Sequence, residues 1–198
     1  MKTVIIKYNA GNIRSVLFAL DRIGVEGVVT DNPEEIRAAD RVIFPGVGEA
    51  STAMNYLKER KLDLLIKDLK QPTLGICLGM QLMCKHSEEN DTPCLGIFDV
   101  EVKKFQSPVD NLLKIPQIGW NNITGLYSAI FEHVRENSYM YFVHSYYAAL
   151  SADTVATTNY VINYSSALQK DNFYAVQFHP EKSADAGQQI LENFLKIQ

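Results

Sequence analysis

A rhythm in the first half of the chain constrains its fold most. Apolar runs rich in β-branched residues alternate there with segments of helical period. Thr3, Val4, Ile5 and Ile6 make a first buried strand. Ile13, Val16, Leu17 and Leu20 recur at helical spacing, which predicts a helix over residues 13–23 ending at Gly24. Residues 25–30 read as a second strand. Asn32, Pro33, Glu34 and Glu35 open a short helix, with proline and acids in its first turn. Residues 41–44 make a third strand, broken by Pro45, Gly46, Val47 and Gly48. Residues 51–69 read as a helix or helix pair, residues 73–76 as a fourth buried strand, and residues 78–86 as its following helix. Strands separated by helices give a central, mostly parallel α/β sheet with helices on both faces. Ligands of such sheets sit beyond the carboxyl ends of the strands. Residues 8–12, residues 45–48 and Cys77 all fall at that edge.

The second half is richer in β-structure. Residues 98–105, 139–148, 154–158 and 173–178 are its strand candidates, and residues 113–122 read as a loop around a short strand. Ile190, Phe194 and Ile197 share one face of a closing helix over residues 186–197. Residues 87–93 are the most polar stretch and read as an exposed loop. No repeat, low-complexity tract or linker divides the 198 residues, so one domain over residues 1–198 is expected.

Composition narrows the function. Apolar residues make up 46% of the chain, enough for a full core. A net charge of −4 without a basic stripe argues against a nucleic-acid or membrane-surface binder. No apolar run reaches spanning length, and the N-terminus is too short and strand-like for a signal peptide. Three cysteines, an odd number without metal-ligand spacing, point to the reducing cytoplasm.

In Gly75-Ile76-Cys77-Leu78-Gly79-Met80-Gln81, Cys77 sits between the fourth strand and its helix. The flanking glycines fit a tight turn where a side chain would clash with neighbouring backbone. A cysteine there points out at the carboxyl edge of the sheet. The N-terminus of the next helix faces it and favours thiolate over thiol. The plainer reading is a small buried cysteine in a close strand–helix contact. Cys84 and Cys94 read as packing residues.

A cysteine nucleophile needs an imidazole and a third group to orient it. His86 lies on the helix leaving Cys77 and points away, His133 sits in a polar surface run, and His144 lies within a strand. His179 stands at the carboxyl end of a strand, stiffened by Pro180, with Glu181 two residues on. Residues two apart in extended chain point the same way, so Glu181 can bond one ring nitrogen while the other faces Cys77. A strand-end histidine beside a solvated glutamate is the plainer reading of that triplet alone. Its coincidence with Cys77 at one sheet edge favours the catalytic reading. The N–H of Leu78 and the backbone of Gly46, Val47 and Gly48 offer oxyanion donors, worth roughly 10²–10³ in turnover each. Taken alone, residues 45–48 read as an ordinary strand-ending turn.

The cysteine motif with His179-Pro180-Glu181 resembles the class I (triad) glutamine amidotransferases. The cysteine motif does not choose within that family, because the CTP synthase glutaminase domain looks nearly the same there. Three other stretches are similar to the glutaminase subunits of imidazole glycerol phosphate synthases. They are Tyr8-Asn9-Ala10-Gly11-Asn12-Ile13-Arg14-Ser15, Phe44-Pro45-Gly46-Val47-Gly48 and Pro116-Gln117-Ile118-Gly119-Trp120-Asn121. The likeness runs from Met1 to the closing helix. Lys7 and Asn9 depart from the aspartate and glycine of many relatives, which affects local contacts at the first turn and not the chemistry.

The resemblance implies a flavodoxin-like fold and attack by Cys77 on the side-chain amide of glutamine. It places the oxyanion on N–H groups of Leu78 and of Gly46, Val47 and Gly48. His179, oriented by Glu181, protonates the leaving ammonia and then serves as base when water cleaves the thioester. Gln81 and the backbone of Ser145 and Tyr146 hold the glutamine head group, and His144 supports them. No cofactor or metal is implied. The glutaminase parts use nearly the whole chain, and no Walker-type P-loop appears. The family's ammonia acceptor is a (β/α)₈ cyclase, paired with the glutaminase as a heterodimer. It makes imidazole glycerol phosphate and aminoimidazole carboxamide ribonucleotide, linking histidine and purine synthesis. Asn12, Trp120, Asn121 and Lys182 are candidates for the face against it, while Trp120 equally fits a core aromatic. The resemblance further implies weak activity until the partner is loaded, with a peptide flip in residues 46–48.

Three alternatives stay open at this level. A glutaminase of the same build could serve another acceptor, such as an amidino-sugar synthase. A non-catalytic module on the same sheet predicts that Cys77→Ala leaves every activity intact. A stand-alone cysteine hydrolase predicts substrates other than glutamine.

Overall fold

Alternate residues of the inner strands enter two separate cores, one on each side of the sheet. In the strand Thr3–Ile6 (β1), Val4 and Ile6 join the core beneath one helical layer, while Ile5 joins the other. The computed structural model describes residues 1–9, 11–106 and 113–197. After β1 come α1 (Ile13–Arg22), β2 (Gly27–Thr30), α2 (Pro33–Arg37), β3 (Arg41–Gly46), α3 (Ala50–Glu59) and α4 (Leu62–Asp68). Then follow β4 (Thr73–Cys77), α5 (Leu78–Met83), β5 (His86–Ser87), β6 (Thr92–Pro93), β7 (Glu101–Lys104) and β8 (Gln117–Asn122). The chain continues with β9 (Tyr139–His144), β10 (Tyr146–Ala148), β11 (Thr154–Tyr160), β12 (Ile162–Lys170), β13 (Phe173–Val176) and α6 (Ala184–Lys196).

The order β2-β1-β3-β4-β13 is a parallel block. Beyond β13 the sheet continues through β12-β10-β7-β5-β6, with β11 paired to β12. There β12 and β10 run antiparallel to their neighbours. β8 and β9 form a separate antiparallel pair. Helices α2 to α5 cover one face, where Ile36, Met54, Leu57 and Leu65 meet Val42 and Phe44. Helices α1 and α6 cover the other, where Val16, Leu20, Ile190 and Phe194 meet Ile43, Leu74 and Ile76. Because β1, β3, β4 and β13 are parallel, their carboxyl ends open on one edge.

Local chemistry accounts for the elements nearest that edge. Asn32 caps α2 by accepting from the N–H groups of Glu34 and Glu35, with Pro33 in the first turn. Gly79 lets α5 lie directly on β3: a Cβ there would stand 1.9 Å from the Phe44 carbonyl oxygen.

Several elements depart from the sequence expectation. β3 runs through Pro45 and Gly46, in register with Ile76 and Cys77 of β4, instead of breaking after Phe44. Pairing with β1 reaches only Ile43, so the missing proline N–H breaks no bond on that side. α5 stops at Met83, because Cys84 turns extended and Lys85 bonds Val100 across the sheet. His86 therefore lies on β5, not on the helix. Residues 87–93 carry a hairpin rather than a bare loop, with Ser87 and Thr92 buried. Residues 139–148 split at Ser145 into strands of two different sheets. β12 was not expected, since Asn163, Ser165, Ser166 and Gln169 interrupt its apolar pattern. Among the described residues no helix is long and apolar enough to cross a membrane.

Candidate active site

Cys77 ends β4 with φ 53° and ψ −108°, a conformation that side chains other than glycine rarely adopt. That strained turn between β4 and α5 sets the buried Cys77 on the wall of a cavity of about 280 Å³. Val47, Gly48, Leu78, Gln81, Glu89 and Tyr146 line the same cavity, with Pro116, Val143, His144 and Ser145. Gly46 pairs with Cys77 in the sheet but is not on the cavity wall. Gly48 has φ 135°, a value open to glycine, where the chain turns from β3 toward α3.

His179 follows β13 and is buried; its backbone N–H donates to Tyr141 of β9 at 2.9 Å. Its Nδ1 lies 2.8 Å from Glu181 Oε1. Glu181 is buried in the 3₁₀ turn Pro180–Lys182, so this pair is made by a tight turn rather than by extended chain. The Asn12 side-chain amide donates to the same Glu181 oxygen, and its nitrogen is 3.4 Å from His179 Nδ1. Burial opposes charge on the His179 ring, but hydrogen bonding and charge from Cys77 and Glu181 outweigh it and raise its pKa to about 10. With Nδ1 on Glu181, Nε2 is the ring atom left for Cys77. It is buried and makes no other hydrogen bond among the described residues. The structure thus brings Cys77 together with the His179–Glu181 pair from two distant parts of the chain.

Of the other histidines, His144 shares the cavity wall while His86 and His133 stand apart. His86 bonds Asp91 at 2.8 Å and Glu101 at 3.2 Å, away from the cavity lining. His133 is exposed. His144 is buried, and its Nδ1 donates to the Tyr146 carbonyl at 2.7 Å. Burial, with a smaller push from His179, lowers its pKa to about 4 despite that bond, so the ring is neutral. Gln81 donates to the same Tyr146 carbonyl at 3.0 Å. Gln81, Ser145 and Tyr146 therefore share one wall of the cavity.

Of the residues suggested for a partner face, Trp120 is 53% exposed on β8, and Lys182 is exposed at the end of the turn Pro180–Lys182. Asn121 is half-buried and donates to Asn159. Asn12 is half-buried and turned toward His179 and Glu181. Two residues escaped the sequence reading. Glu89 reaches the cavity from the hairpin between β5 and β6, where the Ala50 N–H donates to it at 2.8 Å. Gln177 is buried beneath Cys77. Neither falls in a periodic pattern; the only trace is an amide or acid near a strand end.

A family model described as glutamine amidotransferase class-I matches residues 4–197. The chain belongs to the class-I glutamine amidotransferases. Among relatives in this family, the imidazole glycerol phosphate synthase subunit HisH of Bacteroides fragilis is 57% identical, with all of both chains covered. The subunit of the same name from Bacteroides thetaiotaomicron is 56% identical, again over all of both chains. A crystal structure of a glutamine amidotransferase superposes with a TM-score of 0.73 at 18% identity, covering 96% of this chain and 98% of the other. That last likeness is one of fold.

Proposed function

We propose that this chain, as a single amidotransferase domain over residues 1–198, is the glutaminase subunit of an imidazole glycerol phosphate synthase. The observation that carries the reading is Cys77 on the wall of a cavity of amino-acid size, about 280 Å³, with the buried His179–Glu181 pair acting on it from behind that wall. Full-length identity of 57% with a subunit of that name supports the choice of acceptor.

Cys77 Sγ attacks Cδ of the glutamine side chain. The oxyanion is held by the N–H of Leu78, which is free of intrahelical bonding at the start of α5, and by the backbone of residues 46–48. His179 Nε2 gives its proton to the leaving nitrogen, and ammonia departs. Water then attacks the glutamyl thioester while His179 takes its proton, which releases glutamate and restores the Cys77 thiolate beside a protonated His179. Glu181 holds the ring through its bond to Nδ1. Glu89 pairs with the substrate α-ammonium, while the backbone of Ser145 and Tyr146 faces the α-carboxylate.

The ammonia passes to a (β/α)₈ cyclase partner, which forms imidazole glycerol phosphate and aminoimidazole carboxamide ribonucleotide. The outer side of the β8–β9 pair supports a docking face. Ile118 is 63% exposed and Tyr139 63% exposed, beside Trp120 and Val143. The bond from His179 to Tyr141 ties that pair to the catalytic turn. Glutamate release from glutamine, by wild type and Cys77→Ser, alone and with the cyclase and its nucleotide, tests the reading. Turnover is expected only with Cys77 and rises with the loaded cyclase. Equal turnover by Cys77→Ser rejects the mechanism, and no response to the cyclase rejects the acceptor.

A further inference from the structure

Gln177 lies one residue past β13, fully buried, and its side chain runs beneath the cavity. Three hydrogen bonds fix its orientation. The Tyr146 carbonyl can only accept, so the group of Gln81 bonded to it at 3.0 Å is the amide nitrogen. The second hydrogen on that nitrogen goes to Gln177 Oε1 at 2.9 Å. Gln177 Nε2 is thereby left to donate to Cys77 Sγ, at 3.6 Å. Gln81 gives one hydrogen to the wall and the other to Gln177, and from Gln81 on the donors run toward the sulfur; such chains polarise one another.

We propose that Gln177 is a positioning residue that holds the Cys77 sulfur in its attacking orientation and couples it, through Gln81, to the cavity wall. This rests on the glutaminase reading above. A neutral N–H···S contact is weak, but it strengthens when the sulfur ionises. The amide therefore favours the nucleophilic form without adding a charge that would compete with His179. The titratable groups facing the sulfur are His179 on the turn after β13, Tyr8 after β1, Tyr164 on β12 and His144 on β9. Gln177 is the neutral amide that touches the sulfur within this set.

Two substitutions separate this role from packing. Gln177→Met keeps length and removes the amide. Gln177→Glu keeps an acceptor for Gln81 and replaces the donor with a carboxylate. The first readout is iodoacetamide alkylation of the Cys77 peptide against pH in the isolated, folded chain. The second is kcat and KM for glutamine with the cyclase bound. Gln177→Met should move the alkylation midpoint up by about one pH unit, and Gln177→Glu further. In Gln177→Glu, kcat should fall roughly tenfold or more, with a much smaller change in KM. A wild-type midpoint in both variants, or in Gln177→Glu alone should Gln177→Met not fold, overturns the proposal. Cys77→Ser, run alongside, separates the two failures. If it is inactive while the Gln177 variants alkylate like wild type, only the role of Gln177 falls; if it turns over glutamine, the glutaminase reading falls.

Discussion

Asn12, at the start of α1, donates its side-chain amide to the Glu181 carboxylate, across 169 residues of sequence. The first turn of the chain thus braces the carboxylate that orients His179. A hydrogen bond to a charged group is worth about 1.5–3 kcal/mol, so Asn12→Ala should lower kcat roughly tenfold. The loss should be equal with and without the cyclase. A loss seen only in the complex would place Asn12 on the partner face instead.

Glu89 should govern recognition of the substrate amino group. Glu89→Gln is expected to raise KM for glutamine roughly tenfold or more while changing kcat little. Burial raises the Glu89 pKa, opposed by the Ala50 N–H and helped by Glu49. As pH falls below neutrality, KM should therefore rise before an ordinary carboxylate would titrate. An unchanged KM in Glu89→Gln would remove Glu89 from the substrate site.

His144 and His179 should give opposite pH dependences of stability. The unfolded His144 takes up a proton near 6.5, and the folded one does so only near 4. Stability from this group is lost as pH falls through that window, by up to about 1.4 kcal/mol per unit. His179 is shifted from 6.5 to about 10, so its contribution is complete below the lower value and is lost as pH rises toward the upper. Urea unfolding of wild type, His144→Asn and His179→Asn reads both effects. The wild-type advantage should shrink in acid for the first variant and in base for the second; a pH-independent difference in either series contradicts the assignment.

Gly79→Ala should fail by overpacking, because its Cβ would meet the Phe44 carbonyl at 1.9 Å and that backbone lies inside the sheet. A loss of about 3 kcal/mol or more is expected in thermal or urea unfolding. Wild-type stability would show that α5 does not lie so close to β3.

Trp120→Ala should leave stability within about 0.5 kcal/mol, since the ring is exposed. Affinity for the cyclase should fall by about 2 kcal/mol or more if the β8–β9 face is the docking surface. Unchanged affinity would move the interface elsewhere.

The parallel half of the fold was legible because buried strands and amphipathic helices leave distinct periods. β1, α1 and the cap of α2 follow from Thr3 to Ile6, from Val16 and Leu20, and from Asn32 with Pro33. The antiparallel half was less legible, because β12 carries Asn163, Ser165 and Ser166, whose partners lie far along the chain. The meeting of Cys77 with His179 could be read from two strand ends at one edge. Glu89 and Gln177 could not, because their places depend on a short hairpin and on a buried amide chain that no local pattern encodes. The 3₁₀ turn that joins His179 to Glu181 was also unread, although Pro180 marks where the chain bends.

The central claim is a covalent one, and trapping the intermediate tests it most directly. Wild type bound to the cyclase is mixed with glutamine, quenched in acid at short times, and mapped by peptide mass spectrometry. A glutamyl adduct on the peptide containing Cys77, absent from Cys77→Ser, is the expected result. Steady release of glutamate by the wild type with an adduct on another residue, or with equal release by Cys77→Ser, would contradict the account.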